Sequence, residues 1–518
     1  MILLFSVPAL ASFTIKKPTK TQPTESSSIS CYPATIHNPQ SMANPKSLLT
    51  LTSLFSLFLL TLSSKITLPL SPFPNHPSSD PLQALSFHAS ASISRAHHIK
   101  NSRKPNSSLT QVPLFPHSYG DYSVSLNFGT PPQTSSFIMD TGSSLVWFPC
   151  TKRYICSRCQ FPNINPAKIP TFKPKLSSSS KIVGCQNPKC GWIFGPEVKS
   201  KCPNCNNPSH QNCSQACPTY IIQYGSGTTA GILLSETLDF PKKIVPDFLV
   251  GCSFVSIRQP AGIAGFGRGP QSLPAQMGLT KFSYCLVSHR FDDTPQSSDL
   301  VLYSSSSGSS SSSEEEPTIA ESQRNKTKLQ SLSSTPFQKN PGPPNSAFRE
   351  YYYIMLRKVI VGNKNVKIPY KFLVPGADSS GGTIVDSGST FTFMEKPVFE
   401  PVAKEFEAQM ANYTRAKDLE NKTGLRPCFD ISKEKKVDFP ELVFQFKGGA
   451  KMELPSKNYF SMVSSSGVVC LTIVTDGVVG PGGNGGPAII LGNYQQQDFH
   501  VEYDLQHGKF GFRKQSCK

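Results

Sequence analysis

The sequence predicts a mostly β protein built from two similar lobes. Its composition is rich in Ser, Thr, Gly and Pro, which favour turns and strands over long helices. Several short apolar runs are typical of strands, among them residues 351–361, 443–446 and 468–474. At 518 residues the chain exceeds what one hydrophobic core usually supports, so we expect two domains with additional segments.

A short motif, present once in each half, is the reason for expecting the lobes to be similar. Asp140-Thr141-Gly142-Ser143 follows the apolar run 137–139, and Asp386-Ser387-Gly388-Ser389 follows the apolar run 383–385. One copy would be weak evidence, because an Asp on a tight Gly turn occurs in many unrelated loops. Two copies, one in each half, predict lobes that bring their carboxylates face to face.

Two carboxylates held close together cannot both ionise easily, so the pair keeps one proton over an acidic pH range. The ionised member can take a proton from water while the protonated member hydrogen-bonds a substrate carbonyl. The flanking residues suit this role. The glycines allow a sharp turn and a close approach, and the hydroxyls can orient each carboxylate or hydrogen-bond across the lobe boundary. These supporting residues are Thr141, Gly142, Ser143, Ser387, Gly388 and Ser389.

The motifs and their order resemble those of the pepsin-like aspartic endopeptidases, in particular the atypical plant type related to nepenthesin. The resemblance covers about residues 119–518. It rests on DTGSSLVW at 140–147, YGSGTTAG at 224–231, AGIAGFG at 261–267, FSYCL at 282–286, DSGST at 386–390 and IILGNYQQQ at 489–497.

This resemblance implies a bilobal pepsin-like fold with an active-site cleft between two β lobes. It implies Asp140 and Asp386 as the catalytic pair, with no cofactor and no metal. It also implies a β-hairpin flap with Tyr224 near its tip. Trp147 corresponds to a cleft tryptophan that hydrogen-bonds the flap tyrosine, although a plain core position is the alternative.

Fifteen cysteines indicate an oxidising compartment. Nine of them fall in residues 150–217, which resemble an insertion of the nepenthesin-like group. The two Cys-x-x-Cys pairs beginning at Cys156 and Cys202 are too far apart for a zinc ribbon, so we expect disulfides there. Their connectivity within 150–252 stays open. The resemblance implies two further pairs, Cys285 with Cys517 and Cys428 with Cys470.

The amino-terminal part of the sequence indicates that segments are removed from the protein after synthesis. We interpret residues 1–41 as an upstream extension or transit-like segment and 42–64 as a signal peptide, whose apolar core is 48–62. Residues 65–110, which carry Arg95, Lys100, Arg103 and Lys104, are expected to be a basic prosegment. The N-terminal lobe is expected at 111–303, with the insertion 150–217. A disordered Ser/Glu-rich insert is expected at 304–334 and the C-terminal lobe at 335–518.

Residues 94–100 resemble the prosegment of the family. The hypothesis is that its cations cover the cleft at neutral pH. Acidification would protonate His97, His98 and some carboxylates, and so favour release.

We expect secretion to the extracellular space or cell wall, with the vacuole or a plastid as alternatives. Sequons that suit this route are Asn106, Asn212, Asn325, Asn412 and Asn421. The carboxyl terminus carries no apolar tail, so no stable membrane anchor is expected. The formal net charge is +18, which we interpret as a solvated surface. We expect a monomer that acts on protein or peptide substrates and does not bind nucleic acid.

Two other functions compete with this assignment. The first is a catalytically inactive binding protein on the pepsin fold, such as a glycanase inhibitor. Both aspartates and their hydroxyl neighbours are present, which favours the enzyme. The second is another hydrolase class, but the sequence has neither a Gly-x-Ser-x-Gly elbow nor a His-Glu-x-x-His helix.

Overall fold

A computed structural model describes residues 64–72, 81–100, 122–159, 168–205, 213–225, 227–240, 243–259, 261–288, 297–304, 331–342, 346–463, 467–476 and 485–517. The predicted extension 1–41, the core of the signal peptide and nearly all of the Ser/Glu-rich insert lie outside these residues. The described residues all belong to one compact unit. Within the described residues, no helix is long and apolar enough to cross a membrane.

Strands make up most of the regular structure. In chain order, the first fourteen are β1 Ser64–Pro72, β2 Tyr122–Phe128, β3 Gln133–Asp140, β4 Trp147–Pro149, β5 Ile155–Ser157, β6 Lys181–Ile182, β7 Tyr220–Gln223, β8 Thr228–Phe240, β9 Lys243–Ile257, β10 Gly262–Gly265, β11 Leu279–Cys285, β12 Ser298–Ser304, β13 Ser333–Pro336 and β14 Tyr352–Ile354. The others are β15 Leu356–Val361, β16 Lys364–Asn365, β17 Thr383–Val385, β18 Thr392–Met394, β19 Thr414–Arg415, β20 Cys428–Asp430, β21 Leu442–Phe446, β22 Lys451–Leu454, β23 Phe460–Val463, β24 Val468–Leu471, β25 Ile473–Val474, β26 Ile489–Leu491, β27 Phe499–Asp504 and β28 Lys509–Lys514.

The helices are fewer and mostly short. They are α1 Pro81–Lys100, α2 Pro188–Phe194, α3 Val198–Lys201, α4 Leu273–Met277, α5 Tyr370–Leu373, α6 Lys396–Gln409 and α7 Lys417–Thr423. Only α1 and α6 exceed two turns. The predicted strand runs 351–361 and 468–474 are each divided into two strands, and 443–446 falls within β21.

The largest sheet has fifteen strands and joins both halves of the chain. It includes the carboxyl-terminal strands β27 and β28, which pair with β11 and β13. The second half adds sheets of five, four and four strands. Aromatic and aliphatic side chains from both halves form one continuous core around these sheets.

The same arrangement of three strands recurs in both lobes. In the first lobe β3 lies parallel to β10, with Asp140 opposite Gly265, and β10 is antiparallel to β4. In the second lobe β17 lies parallel to β26, with Val385 opposite Leu491, and β26 is antiparallel to β18. Each motif aspartate therefore comes at the end of a buried strand, held on one side by a neighbouring apolar strand.

The region predicted as a prosegment forms two ordered elements. Strand β1 is inserted in the large sheet, where it pairs with β12 and β2 and buries Leu70 completely. Helix α1 packs its apolar face on the second lobe, where Leu85, Ala89, Ala96 and Ile99 join a buried cluster with aromatic residues of that lobe. Its last turn carries His97, His98 and Lys100, a charge distribution that suits a helix carboxyl terminus.

Disulfides account for all fourteen described cysteines. Five lie in or next to the insertion of the first lobe, namely Cys150–Cys252, Cys156–Cys159, Cys185–Cys202, Cys190–Cys217 and Cys205–Cys213. The other two are Cys285–Cys517 and Cys428–Cys470. The bonds within the insertion link segments that contribute little to the main core, and so stabilise them by restricting the unfolded chain.

Candidate active site

The two motif aspartates lie side by side at the boundary between the lobes. The exposed fraction is 2% for Asp140 and 0% for Asp386. The apolar residues before them, 137–139 and 383–385, are buried strand residues, so the chain has little freedom to move either carboxylate.

Each carboxylate receives the same two hydrogen bonds from its own turn. The amide of Gly142 donates to Oδ1 of Asp140 over 2.9 Å, and the Ser143 hydroxyl donates to Oδ2 over 2.6 Å. The corresponding distances at Asp386 are 3.0 Å from Gly388 and 2.6 Å from the Ser389 hydroxyl. The two turns therefore fix both carboxylates in equivalent orientations.

Thr141 and Ser387 join the lobes reciprocally. The amide of Ser387 donates to Oγ1 of Thr141 over 2.8 Å, and the amide of Thr141 donates to Oγ of Ser387 over 3.1 Å. Each hydroxyl also donates across the boundary, that of Thr141 to the Val385 carbonyl and that of Ser387 to the Met139 carbonyl. These four bonds set the separation of the two turns and hence of the two aspartates.

The glycines of the motif are required by the space between the turns. A Cβ on Gly142 would lie 2.5 Å from Oδ1 of Asp386, and a Cβ on Gly388 would lie 2.4 Å from Oδ1 of Asp140. Each turn thus packs against the carboxylate of the other lobe, so that any side chain there would push the pair apart.

A residue of helix α1 contacts both carboxylates. Nη2 of Arg95 lies 2.6 Å from Oδ1 of Asp140 and 3.4 Å from Oδ1 of Asp386, while its Nε donates to Oδ2 of Asp386 over 3.0 Å. The Arg95 side chain is 9% exposed. One nitrogen atom therefore touches both aspartates, which demonstrates that a single small group can bridge them.

The arginine makes the electrostatics of the pair unequal. Burial raises the pKa of Asp140, and repulsion from Asp386 adds to this against the attraction of Arg95. Burial also acts to raise the pKa of Asp386, but attraction and hydrogen bonding to Arg95, with further bonds from Ser389 and Gly388, outweigh it and leave that pKa below its ordinary value. The two ion pairs more than offset the effect of burial on Arg95, whose pKa is raised, so the arginine stays charged.

Tyr224, the residue expected on the flap, is close enough to Asp140 and Arg95 to feel their charges and is 4% exposed. Trp147 Nε1 donates a hydrogen bond of 2.8 Å to its hydroxyl, and both residues belong to a buried cluster of the first lobe. Burial raises the pKa of Tyr224 well above its ordinary value, so it remains neutral. A Cβ on Gly225 would lie 2.4 Å from Cα of Arg95, so α1 runs directly beneath the flap.

Helix α1 makes further polar contacts with the second lobe. The Ser92 hydroxyl accepts from the amide of Phe391 over 2.8 Å. Lys100 forms an ion pair with Glu395, and its Nζ lies 5.5 Å from the ring centroid of Phe393. The helix therefore binds along the wall of the cleft and not at one point.

His97 and His98, two of the three histidines of α1, lie in its last turn and have different surroundings. Nε2 of His97 lies 3.2 Å from Oδ2 of Asp476. Burial, together with Arg95, lowers the pKa of His98 to about 3, although part of its surface remains accessible to solvent. Protonation of His98 therefore opposes docking of the helix.

From the sequence alone, Arg95 is one of several basic residues of the expected prosegment. Nothing in its local pattern distinguishes it from Lys100 or Arg103, because its role depends on how α1 lies over the lobes. Of the predicted sequons, Asn412 and Asn421 are exposed on the second lobe, and Asn106, Asn212 and Asn325 lie outside the described residues. No group of three metal-binding side chains occurs in the part of the chain that the structure describes.

Comparison with known proteins agrees with the family resemblance of the sequence motifs. Residues 122–302 match the family described as "Xylanase inhibitor N-terminal" and residues 351–514 the family described as "Xylanase inhibitor C-terminal". A probable aspartyl protease of Arabidopsis thaliana is 31% identical over 431 residues, covering 77% of this chain and 83% of that protein. Nepenthesin-1 of Nepenthes gracilis is 31% identical over 405 residues, covering 77% and 78% of the two chains.

Solved structures with the same fold include two plant proteins. EDGP superposes with a TM-score of 0.55 at 18% identity, covering 88% of this chain and 95% of that one. Basic 7S globulin from soybean superposes with a TM-score of 0.54 at 16% identity, covering 88% and 97%. Taken with the relatives above, these matches mean that the chain belongs to the atypical plant aspartic proteases of the pepsin-like fold, the group that includes nepenthesin.

Proposed function

We propose that this protein is an aspartic endopeptidase that works at acidic pH and is made as an inactive precursor. The observation that carries the proposal is the bridging of Asp140 and Asp386 by one nitrogen of Arg95. The atom lies where a water molecule would have to lie to be activated by both carboxylates.

Once Arg95 leaves, water enters between the carboxylates and the pair retains one proton. The ionised aspartate takes a proton from the water as its oxygen attacks the scissile carbonyl carbon, and the protonated aspartate gives its proton to the carbonyl oxygen. The resulting gem-diol collapses when the amide nitrogen receives a proton and the C–N bond breaks. Tyr224 on the flap covers the substrate during these steps and excludes bulk water.

Helix α1 indicates which substrates suit the cleft. Its apolar side chains pack on Phe391, Phe393 and their neighbours in the second lobe. Removal of the helix would expose this apolar wall beside the aspartates. We therefore propose that the enzyme cleaves extended segments of proteins and prefers bulky apolar residues next to the scissile bond.

The precursor part of the proposal rests on two features. Arg95 blocks the aspartates, and the flap lies against the backbone of the same helix. A cut after α1, followed by release of the helix, would open the cleft. Secretion of the protein, its glycosylation and its action as a monomer belong to the same proposal, and the seven disulfides are consistent with an oxidising compartment.

One observation favours a different function. The matching families are described as xylanase inhibitors, so the chain would be a binding protein without catalysis. The complete hydrogen bonding of both aspartates argues for the enzyme. Fold alone decides nothing between the two.

The test is cleavage of a denatured protein by the purified precursor across a range of pH. We expect little cleavage near neutrality, and cleavage that pepstatin blocks after acid treatment, with sequencing of the new amino terminus locating the cut. The Asp140→Asn precursor is the matched control. Full activity at neutral pH without any cut would contradict the latent precursor, and pepstatin binding without hydrolysis would favour the binding protein.

A further inference from the structure

The outer face of the flap sheet carries an exposed apolar row. Strands β5, β9, β8 and β7 are neighbours, and their register places Ile155, Val255, Ala230 and Ile221 opposite one another across the sheet. The exposed fraction is 63% for both Ile155 and Ile221 and 37% for Val255. Ile257, two residues after Val255 on the same face, is 40% exposed. These side chains form a surface that we call the flap outer row.

This row faces away from the aspartates. Successive residues of a strand point to opposite faces. Tyr220, which precedes Ile221, is fully buried in the cluster that contains Trp147 and Tyr224. Likewise Ser256, between Val255 and Ile257, is buried. The inner face of the sheet thus supports the flap, whereas the outer face has no apolar cover among the described residues.

Basic residues lie at both ends of the short strand β5. Lys152 and Arg153 precede it and Arg158 follows it, and all three are exposed. The amide of Arg258, at the end of β9, donates to the carbonyl of Ser157 over 3.0 Å, so the ends of the two strands lie side by side. Partial burial and the charge of Arg158 lower the pKa of Arg258, which reflects the closeness of two like charges.

The basic character extends through the whole insertion. Residues 141–235 contain ten Lys and Arg residues and a single acid, Glu197, an excess of nine out of the formal net charge of +18 of the chain. Two of these cations have acidic partners, since Lys189 is paired with Asp247 and Lys201 lies 3.9 Å from Glu197. The exposed cations next to the apolar row are Lys152, Arg153 and Arg158.

We propose that the flap outer row and its flanking basic residues form a reversible docking site for an anionic lipid membrane. Aliphatic side chains at the centre favour an apolar phase, and the exposed cations beside them attract lipid phosphates or carboxylates. A second copy of the chain fits less well, because its own cations would face the same charges. A hydrophilic polyanion would attract the cations but leave the aliphatic row in water.

The test is co-sedimentation with vesicles of phosphatidylcholine alone or mixed with phosphatidylserine. The protein should be purified after secretion from a eukaryotic host and its amino terminus sequenced, since the apolar run 48–62 would itself bind lipid. We expect binding to the mixed vesicles only, weakening as salt is raised.

Two double variants separate the two components of the site. Ile155→Ser with Ile221→Ser should lower binding about tenfold or more by removing the apolar part. Arg153→Gln with Arg158→Gln should lower it roughly fivefold for each cation removed and flatten the salt dependence. Ile244→Ser is the matched control, because Ile244 is 65% exposed on β9 but lies outside the row. Unchanged thermal unfolding would show that all variants are folded.

Three outcomes would overturn the proposal. The first is a lack of binding to the mixed vesicles. The second is equal loss in the Ile244→Ser control. The third is that the isoleucine variants retain full binding while dextran sulfate competes, which would mean adsorption to any polyanion. Self-association that disappears in the isoleucine variants, with no lipid binding, would assign the row to a dimer. None of these results bears on hydrolysis, so the peptidase proposal stands or falls separately.

Discussion

The two aspartate turns have nearly the same geometry but different electrostatic environments. Each aspartate accepts one amide and one hydroxyl hydrogen bond from its own turn, and the four distances differ by 0.1 Å or less between the lobes. Arg95, in contrast, makes one hydrogen bond to Asp140 and two to Asp386. The pKa of Asp140 is raised and that of Asp386 is lowered.

The difference indicates a division of roles within one chain. The duplicated fold makes a symmetric pair that suits shared-proton chemistry, and helix α1 removes the symmetry while it is bound. The pair in the docked state is thus partly neutralised by an internal cation. Under the proposed function, hydrolysis begins only when that cation leaves.

The largest effect is expected when either aspartate becomes neutral. Asp140→Asn and Asp386→Asn should each lower kcat by roughly 10²- to 10⁴-fold or more, because the shared proton and the general base are lost together. Symmetric roles predict losses of similar size in the activated protein, measured on one peptide substrate at the pH optimum. Retained hydrolysis in either variant would refute the assignment of the pair.

Removal of Arg95 should release the helix. Arg95→Ala leaves two carboxylates buried under α1 without their cation, a loss of about 3–5 kcal/mol for a broken buried pair. The precursor should then bind pepstatin or cleave substrate at a higher pH than the wild type. Arg95→Lys keeps the charge but cannot make three hydrogen bonds in fixed directions. The pH at which α1 is released from this variant should therefore lie between the values for the wild type and for Arg95→Ala. If the alanine precursor stays as latent as the wild type, Arg95 does not hold the cleft closed.

Much of the fold could be predicted from the sequence because the informative residues are local. The two Asp-x-Gly-Ser turns, the apolar strands before them and the segments at 261–267 and 489–497 are short motifs with strict backbone requirements. The Thr141–Ser387 exchange could also be anticipated, since both residues carry hydroxyls next to the aspartates. The family resemblance supplied the partners of Cys285 and Cys428.

The features that could not be predicted depend on contacts between distant segments. The 20-residue helix α1 has a weakly amphipathic sequence rich in Ala, Ser and His, and its position is set by packing on the second lobe. Strand β1 lies almost entirely in the segment expected to be a basic prosegment, yet it pairs with β2 and β12 in the main sheet. The lowered pKa of His98 follows from its burial and from Arg95, which only the tertiary structure brings about.

A smaller effect is expected at the junction of the two turns. Thr141→Val and Ser387→Ala should each leave a buried amide of the other lobe without its acceptor, costing about 1–3 kcal/mol of stability. Loosening of the pair should lower kcat more than it raises KM. Thr141→Ser should restore both the stability and kcat, because Ser387 already serves with a hydroxyl alone.

The double variant tests whether the two residues act together. Since the bonds are reciprocal, the double variant should lose less stability than the sum of the losses in the single variants. Additive losses would mean that the two residues act independently.

The smallest effect is expected at His98, where the direction of the change in release pH follows from the pKa shift of one residue. Docking lowers the pKa of His98 from 6.5 to about 3, so its neutral form stabilises the docked helix above pH 6.5. This stabilisation is lost progressively as the pH falls from 6.5 towards 3. His98→Gln should therefore shift the release of α1, followed by pepstatin binding, to lower pH. The shift of Asp140 acts against that of Asp386, which leaves His98 as the described group of α1 whose effect has an unambiguous direction. An unchanged release pH in His98→Gln would show that protonation of His98 does not contribute to release of the helix.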